Sequence, residues 1–293
     1  MGSITDVVKE GLKYPFNDGK KVLTFGIIFL VSSLVSLAME YLVFDNIRIL
    51  TDNAPIDTVQ AALSALPPSS MALMVLSWIV TLVLMIFCSG YVYDVIKYAI
   101  DGRSELPGFA DIKGLFIKGV RSFIVGIAYS ILPAILFFLG LMLTVNESVS
   151  GSVNAIGAII LIIAIAFAIF AALLQVMALC NMVDKDELAA AFRFNEILAL
   201  IKNLGWGRYI GILFFTVIAV MIVSVFCGFI FGVIASVISF IAGSAFVMAL
   251  VNIILNSLLL NPYTSIVFSR VYGSVYREAS NEKAEANEIL DAS

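Results

Sequence analysis

The feature that most constrains this chain is a long run without charge: no Asp, Glu, Lys or Arg lies between Arg208 and Arg270. A helix needs about 20 mainly apolar residues to cross the hydrocarbon core of a bilayer, and this run is about three times that length. It must therefore turn back on itself. The weakest apolar point lies at residues 236–243, so the sequence predicts two spans that meet there.

The rest of the chain has the same character. Of its 293 residues 61% are apolar and 13% are charged, whereas a soluble domain usually carries about 25% charged residues. We predict an all-α integral membrane helical bundle of about six transmembrane helices, in one membrane domain over residues 1–277. A polar, acidic tail, expected to fray or to be disordered, follows at residues 278–293. The predicted spans are residues 22–44, 71–93, 120–145, 154–180, 209–236 and 244–268.

The positions of Lys and Arg predict the orientation, because these residues concentrate in cytoplasmic loops. With six spans, sixteen of the seventeen Lys and Arg fall on one side if Arg121 reaches back from the start of its span, and only Arg48 falls on the other. The sequence therefore predicts a multi-pass protein of the plasma membrane with cytoplasmic N- and C-termini.

A short pattern recurs where spans one, three and five begin. An aromatic residue is followed two positions later by a carboxylate in Phe16-Asn17-Asp18, Phe109-Ala110-Asp111 and Phe194-Asn195-Glu196. Each pattern starts a two-span unit, which predicts three pseudo-repeated helical hairpins. Ordinary interfacial preference is the alternative origin of so short a pattern.

Three segments carry a family resemblance. YPFNDGKKVL (residues 14–23), DGRSELPGFADIKGLFIKG (101–119) and AAFRFNEIL (190–198), in this order and spacing, resemble the archaeal membrane proteins grouped as domain of unknown function 4013. The resemblance covers nearly the whole chain. It implies an archaeal plasma-membrane protein of the hairpin-repeat kind and supplies no activity.

Amphipathic segments precede three of the spans. Residues 4–12, 109–123 and 184–205 place apolar residues at helical spacing, and Asp184 and Glu187 have the spacing of a capping box. Three such helices would form a cytoplasmic collar. Lys113, Lys118 and Arg121 are its candidate surface for lipid headgroups or a protein partner; alternatively, the helices only seal the bundle at the interface.

Polar side chains at membrane depth are costly, which makes them candidates for a site. Asn252 and Asn256 share a helix face, and Ser257 and Asn261 extend its polar character. Interhelical hydrogen bonding is the alternative role for these residues. The candidate intramembrane polar site is Asn252, Asn256, Ser257, Asn261, Gln175 and Glu40.

Gly228 and Gly232 have the GxxxG spacing that lets another helix backbone approach closely. The sequence predicts helix packing at these glycines. The contact is expected within the chain, with a homodimer seam as the alternative.

Nothing in the sequence points to catalysis. There is no His, the three Cys residues have no CxxC spacing, and no nucleophile elbow or phosphate-binding loop is present. We expect no catalytic residues, no metal, no cofactor and no enzyme activity. The net charge of −4 gives no basic face for nucleic acid.

The functional expectation is a small transporter, or a membrane protein that binds a lipid or another amphiphile. The alternative is a non-transporting scaffold or interaction protein that uses the cytoplasmic collar. The expected partners are the lipid bilayer, a bound lipid or amphiphile, and a protein at the cytoplasmic face. An enzyme that acts on lipid is the third reading.

Overall fold

The computed structural model describes residues 3–39, 68–145 and 155–291, and every regular element in these ranges is a helix. Two 3-10 helices, at Tyr14–Asn17 and Leu188–Phe192, and one π-helical turn, at Asn256–Leu260, interrupt the α-helices. The α-helices are α1 (Ile4–Lys13), α2 (Gly19–Met39), α3 (Pro68–Ile100), α4 (Ile112–Val145), α5 (Ala155–Lys185), α6 (Phe194–Leu204), α7 (Trp206–Ala242), α8 (Ala245–Leu255) and α9 (Asn261–Asp291).

Six helical stretches in these ranges are long and apolar enough to cross a membrane: α2, α3, α4, α5, α7 and the stretch Ala245–Glu282. Their surfaces are apolar as well, since Phe240 is 88% exposed and Trp78 is 72% exposed. Apolar surface of this extent is unfavourable in water, so the helices indicate a lipid bilayer as their environment. The predicted all-α membrane fold with about six spans is confirmed.

The helices extend beyond the predicted spans. α7 continues to Ala242, and the chain turns at Gly243, whose φ of +63° is in the left-handed region that favours glycine. α9 runs without interruption to Asp291, so it includes most of the tail predicted from residue 278. Glu278 already forms an ion pair with Arg208 at 2.5 Å.

The chain packs as two compact units. Unit one comprises Met1–Asn17, Ser89–Ala219 and Ile266–Ser293, and unit two comprises Asp18–Cys88 and Val220–Ser265. α3, α7 and α9 therefore contribute residues to both units.

In unit one, the N-terminal helix is held against α9. Arg270 is only 4% exposed, and its guanidinium donates to the Glu10 carboxylate at 2.6 Å and to the Arg103 carbonyl at 2.5 Å. The same guanidinium lies 4.4 Å from the centre of the Tyr14 ring. The Tyr14 hydroxyl donates to the Glu105 carbonyl, and burial raises the pKa of Tyr14 to about 12 although Arg270 acts in the opposite direction.

In unit two, α2 packs closely against the π-helical turn. A Cβ added to Gly26 would lie 2.6 Å from the Leu258 carbonyl oxygen, so only glycine allows this approach. Two turns of α2 beyond Gly26, the hydroxyls of Ser33 and Ser257 are 2.9 Å apart, and Ser257 is buried. A glycine contact and a hydrogen bond thus join the two elements within lipid, where both kinds of contact stabilise helix pairs.

The recurrent carboxylates do not all have the same role. Asp18 and Asp111 precede α2 and α4, and each accepts a hydrogen bond from a backbone N–H three residues on, of Lys21 at 3.1 Å and of Gly114 at 2.8 Å. These are helix N-caps, and the bond from Lys21 lowers the pKa of Asp18. Glu196 instead lies inside the first turn of α6 and pairs with Lys185.

The segment before span five differs from its prediction. Asp184 belongs to the last turn of α5 and so begins no helix, which makes the capping-box prediction wrong. The helix that follows, α6, starts at Phe194 and ends at Gly205, whose φ is +85°. It buries Ile197, Leu200, Ile201 and Leu204 in unit one.

Candidate functional site

Two of the predicted intramembrane polar residues, Asn252 in α8 and Asn256 at the start of the π-helical turn, donate hydrogen bonds to backbone carbonyls of α8. The Asn252 amide donates to the Met248 carbonyl at 3.2 Å, and the Asn256 amide donates to the Asn252 carbonyl at 2.8 Å. Ser257 bonds Ser33, as described above, and Asn261 is half-buried at the start of α9. These contacts reduce the cost of placing the side chains in lipid, and they fit helix packing.

The other two members of that predicted site lie elsewhere. Gln175 is half-buried on α5, where it faces Gly126 of α4, and it belongs to unit one, whereas Asn252, Asn256 and Ser257 belong to unit two. Glu40 lies outside the described residues. Of the six predicted residues, Asn252, Asn256, Ser257 and Asn261 therefore lie near one another, and Gln175 is separate from them.

Two of the three predicted headgroup-binding cations have partners within unit one. Lys118 forms an ion pair with Asp94 at 2.7 Å, and Arg121 forms one with Asp186 at 2.6 Å. Lys113 is exposed and forms no ion pair with a described residue. The side chains of Arg121 and Asp186 are 34% and 75% exposed, so their ion pair is a weak one, and the prediction of a headgroup or partner surface at these residues stays a prediction.

Gly228 and Gly232 make no close contact within the part of the chain that the structure describes, so the homodimer seam remains as the prediction for these glycines. A Cβ added to either glycine would meet no atom within 4 Å. The packed face of α7 instead carries Phe231 and Ala235, which are 9% and 0% exposed. Each lies three residues, or about 60° of helix rotation, from one of the glycines, so the packed side of α7 adjoins the glycines and does not include them.

A buried polar network in unit one was not anticipated from the sequence. The Tyr276 hydroxyl lies 2.9 Å from Asn181 Oδ1 and 3.1 Å from Asp184 Oδ2, and the Asn181 amide donates to the Ala190 carbonyl at 2.9 Å. Asn181 is fully buried. Because α5, α9 and the 3-10 helix before α6 meet here, the network fixes their positions. The sequence feature that could have predicted this network is Asn181, an amide in an apolar segment just before the charged end of α5.

The α4–α5 hairpin and the start of α6 form an apolar groove of about 200 Å³. One side of the groove is the hairpin, whose two helices run antiparallel. The other side is the segment around Phe192 and Phe194. The groove is lined by Ala128, Tyr129, Leu132, Phe167, Phe170, Ala171, Leu174, Phe192 and Phe194.

A break in the helix at Arg193 shapes one end of this groove. Residues two apart on a continuous helix point to nearly opposite sides, yet Phe192 and Phe194 both line the groove. Arg193 has φ −81° and ψ 71° between the 3-10 helix and α6, which makes this possible. The rings of Phe192 and Phe194 lie 6.2 and 6.0 Å from the Tyr129 ring.

The only hydroxyl in the groove lining is used internally. The Tyr129 hydroxyl donates to the Ala191 carbonyl at 2.8 Å, which fixes the ring and satisfies a carbonyl of the 3-10 helix. Phe170 stacks on Trp206 at 6.4 Å between ring centres. A Trp at the first residue of a span is typical of the headgroup level of a bilayer.

Arg193 lies between Phe192 and Phe194 in the chain, does not line the groove, and is half-exposed. Its guanidinium forms an ion pair with Glu187 at 2.6 Å and a longer one with Glu196 at 4.0 Å. The side chains of Arg193 and Glu187 are 47% and 58% exposed. The pair with Glu187 is thus a weak one, because exposed ion pairs contribute about 0–1 kcal/mol.

Unit two has two further grooves, both on the exposed face of α7. One is lined by Met221, Ile222, Val225, Phe226 and Phe229, and the other by Gly228, Phe229, Gly232, Val233, Ser236, Val237 and Met248. Both are wide, shallow and apolar, and the second includes Met248 of α8 beside the α7 residues.

No group of three His, Cys, Asp or Glu within the described ranges could hold a metal ion. The ionisable side chains that do cluster in these ranges, such as Lys185 with Glu196 and Arg208 with Glu278, form ion pairs with each other.

Comparison with known proteins gives one family match. A family model described as "Protein of unknown function (DUF4013)" matches residues 73–251, which is more than half of the chain. No curated protein and no solved structure matches.

Proposed function

Because the chain belongs to the DUF4013 family of proteins of unknown function, we infer its function from its own structure. We propose that the groove of unit one binds the apolar chain of a membrane amphiphile. The observation that carries the proposal is the pocket of about 200 Å³ between the α4–α5 hairpin and the start of α6. Its lining is apolar, and its single hydroxyl is already bonded to the Ala191 carbonyl. An occupant must therefore be apolar over this stretch.

The course of the hairpin gives the bound chain a direction. α4 runs away from the 101–111 loop, and α5 returns towards the Asp186 turn. Leu132 and Phe167 are consequently the lining residues furthest from these connections, and Phe192 and Phe194 are at the opposite end. The methyl end of an amphiphile would point towards Leu132, and its polar head would lie near Phe192 and Phe194.

We place this end of the groove at the cytoplasmic face of the plasma membrane. The support is the distribution of Lys and Arg, sixteen of seventeen of which fall on the side that also holds both termini. In this orientation Trp206 is at the cytoplasmic headgroup level, where the head of a lipid in the groove would also be.

The chemistry of the lining residues supports a binding protein and not an enzyme. The groove offers no nucleophile, no general base and no cluster of metal ligands among its lining residues. We propose that the chain holds or presents an amphiphile without changing it covalently. Movement of the amphiphile across the membrane is an extension of this proposal that would need a second site.

The scaffold reading has less support from the contacts. Lys118 pairs with Asp94, whose side chain is 16% exposed, so one of the three cations is held within the fold, whereas the pair of Arg121 with Asp186 is partly exposed and Lys113 is exposed. α1 is likewise packed on α9 through Gly11 and Arg270, so its inner face is occupied.

Quenching of Trp206 fluorescence by a brominated lipid tests the proposal. The chain has two tryptophans, so a Trp78→Phe background leaves Trp206 as the reporter beside the groove. In detergent, a phospholipid with brominated acyl chains, added in small molar excess, is expected to quench Trp206 saturably.

Ala128→Phe in the same background fills the groove and should abolish this quenching. Ile163→Phe is the matched control, because Ile163 is 53% exposed on α5 and does not line the groove. Equal, non-saturable quenching in all three proteins would contradict the proposal, since it would mean random contact with lipid.

A further inference from the structure

Arg193 lies at the end of the groove where the head of the amphiphile would be, and this suggests the chemistry of the head. Its Cα is one peptide unit, about 3.8 Å, from those of Phe192 and Phe194, and both rings line the groove. Its guanidinium is half-exposed and pairs with Glu187. Arg193 does not itself line the groove, but it is the cation that lies between two lining residues in the chain.

From this arrangement we propose that Arg193 binds the phosphate of a phospholipid whose acyl chain occupies the groove. This inference rests on the proposed function and names its ligand class. A guanidinium can donate two parallel hydrogen bonds to a phosphate, a geometry that gives strong charge-assisted bonding. The apolar lining supplies chain binding, and Arg193 supplies selection for phosphate.

The ion pair with Glu187 is compatible with this role. Both partners are about half-exposed, so the pair is weak and a phosphate can replace the carboxylate at little cost. Glu196, at 4.0 Å from Arg193, is already bonded to Lys185 and Asn181. Glu187 is therefore a competitor for the guanidinium, and removing its charge should strengthen lipid binding.

The experiment compares two brominated lipids with the same acyl chains, a phospholipid and a diacylglycerol, by quenching of Trp206 in the Trp78→Phe background. We expect Arg193→Gln to weaken phospholipid binding by about tenfold, which is the order expected for a lost charge-assisted contact, and to leave diacylglycerol binding unchanged. Arg193→Lys should retain part of the difference, and Glu187→Gln should tighten phospholipid binding.

Lys202→Gln is the matched control, because it removes an exposed positive charge from the last turn of α6, at the opposite end of that helix from Arg193. It should bind both lipids as the parent does. An unchanged melting temperature in detergent would show that each variant is folded.

The possible failures are distinct. If Arg193→Gln weakens binding of both lipids equally, or of neither, Arg193 does not recognise phosphate, and the groove proposal stands. If inorganic phosphate at millimolar concentration displaces the lipid, the site recognises free phosphate and the phospholipid assignment is overturned. If neither lipid quenches Trp206 in the parent protein, the proposed function itself fails.

Discussion

At the scale of single residues, Arg270 and Arg193 show how burial changes the contribution of an Arg–Glu ion pair to stability. Arg270 is 4% exposed and bonds the Glu10 carboxylate, the Arg103 carbonyl and the face of the Tyr14 ring. Arg193 is 47% exposed on its side chain and pairs with an exposed Glu187. The first pair connects the two ends of the chain in unit one, whereas the second is available for exchange with a ligand.

Arg270→Gln is expected to lower the free energy of unfolding by about 1–3 kcal/mol, because it removes charged hydrogen bonds to the Glu10 carboxylate and the Arg103 carbonyl. Arg193→Gln should lower it by less than about 1 kcal/mol. Thermal unfolding of both variants in the same detergent measures the difference. Equal stability of the two proteins would contradict the role given to Arg270.

Tyr14 provides a test by pH. Burial raises its pKa to about 12 from the ordinary value near 10, so the folded protein keeps the phenol proton over a range in which the unfolded chain loses it. By linkage, the stability that Tyr14 contributes is fully present below pH 10 and is lost as the pH rises towards 12.

The wild-type protein should therefore lose stability between pH 10 and 12 more steeply than Tyr14→Phe. At neutral pH the variant should be less stable by about 1 kcal/mol, because it lacks the hydrogen bond to the Glu105 carbonyl. Unfolding temperatures of both proteins, measured from pH 8 to 12, provide the comparison. Parallel pH profiles would mean that Tyr14 is not responsible.

At the scale of elements, the long apolar runs specify which segments become spans, but they do not specify which faces pack. Six runs of sufficient length predicted six helices, because in lipid a helix satisfies its own backbone. Gly228 and Gly232 fit a packing motif and are unpacked among the described residues, whereas Gly26, outside any such motif, contacts the Leu258 backbone. Helix rotation depends on all neighbouring side chains, and a local motif contains too little of that information.

Gly26→Ala and Gly228→Ala test this contrast within unit two. The first places a methyl group 2.6 Å from the Leu258 carbonyl oxygen and should destabilise the protein by about 1–3 kcal/mol, as overpacking usually does. The second meets no described atom and should change the stability by less than about 1 kcal/mol. Chemical unfolding in detergent measures both, and the reverse order would contradict the described packing of α2.

At the scale of the whole molecule, the sequence predicted the class of protein and the environment, whereas the candidate site emerged only from the fold. The groove combines α4, α5 and the start of α6, and it depends on a backbone break at Arg193 that no sequence pattern marks. The network of Tyr276, Asn181 and Asp184 joins residues more than 90 positions apart. Hydropathy identifies segments that enter lipid, but contacts of this range require the tertiary structure.

The two candidate regions for a ligand also differ in what they offer. The side-chain amides of Asn252 and Asn256 donate hydrogen bonds to backbone carbonyls of α8, so these donors are largely satisfied. The groove of unit one has apolar walls on two sides, and Arg193 lies between two of its lining residues in the chain. An amphiphile matches this combination of apolar walls and one charge.

The most direct test of the account is a cryo-EM map of the chain in nanodiscs of a single phospholipid. We predict elongated density in the groove between Tyr129, Phe170 and Phe194, with a phosphate-sized peak near the Arg193 guanidinium and weaker density in the two α7 grooves. A groove without density, or ordered ligand density beside Asn252 and Asn256 instead, would contradict the account.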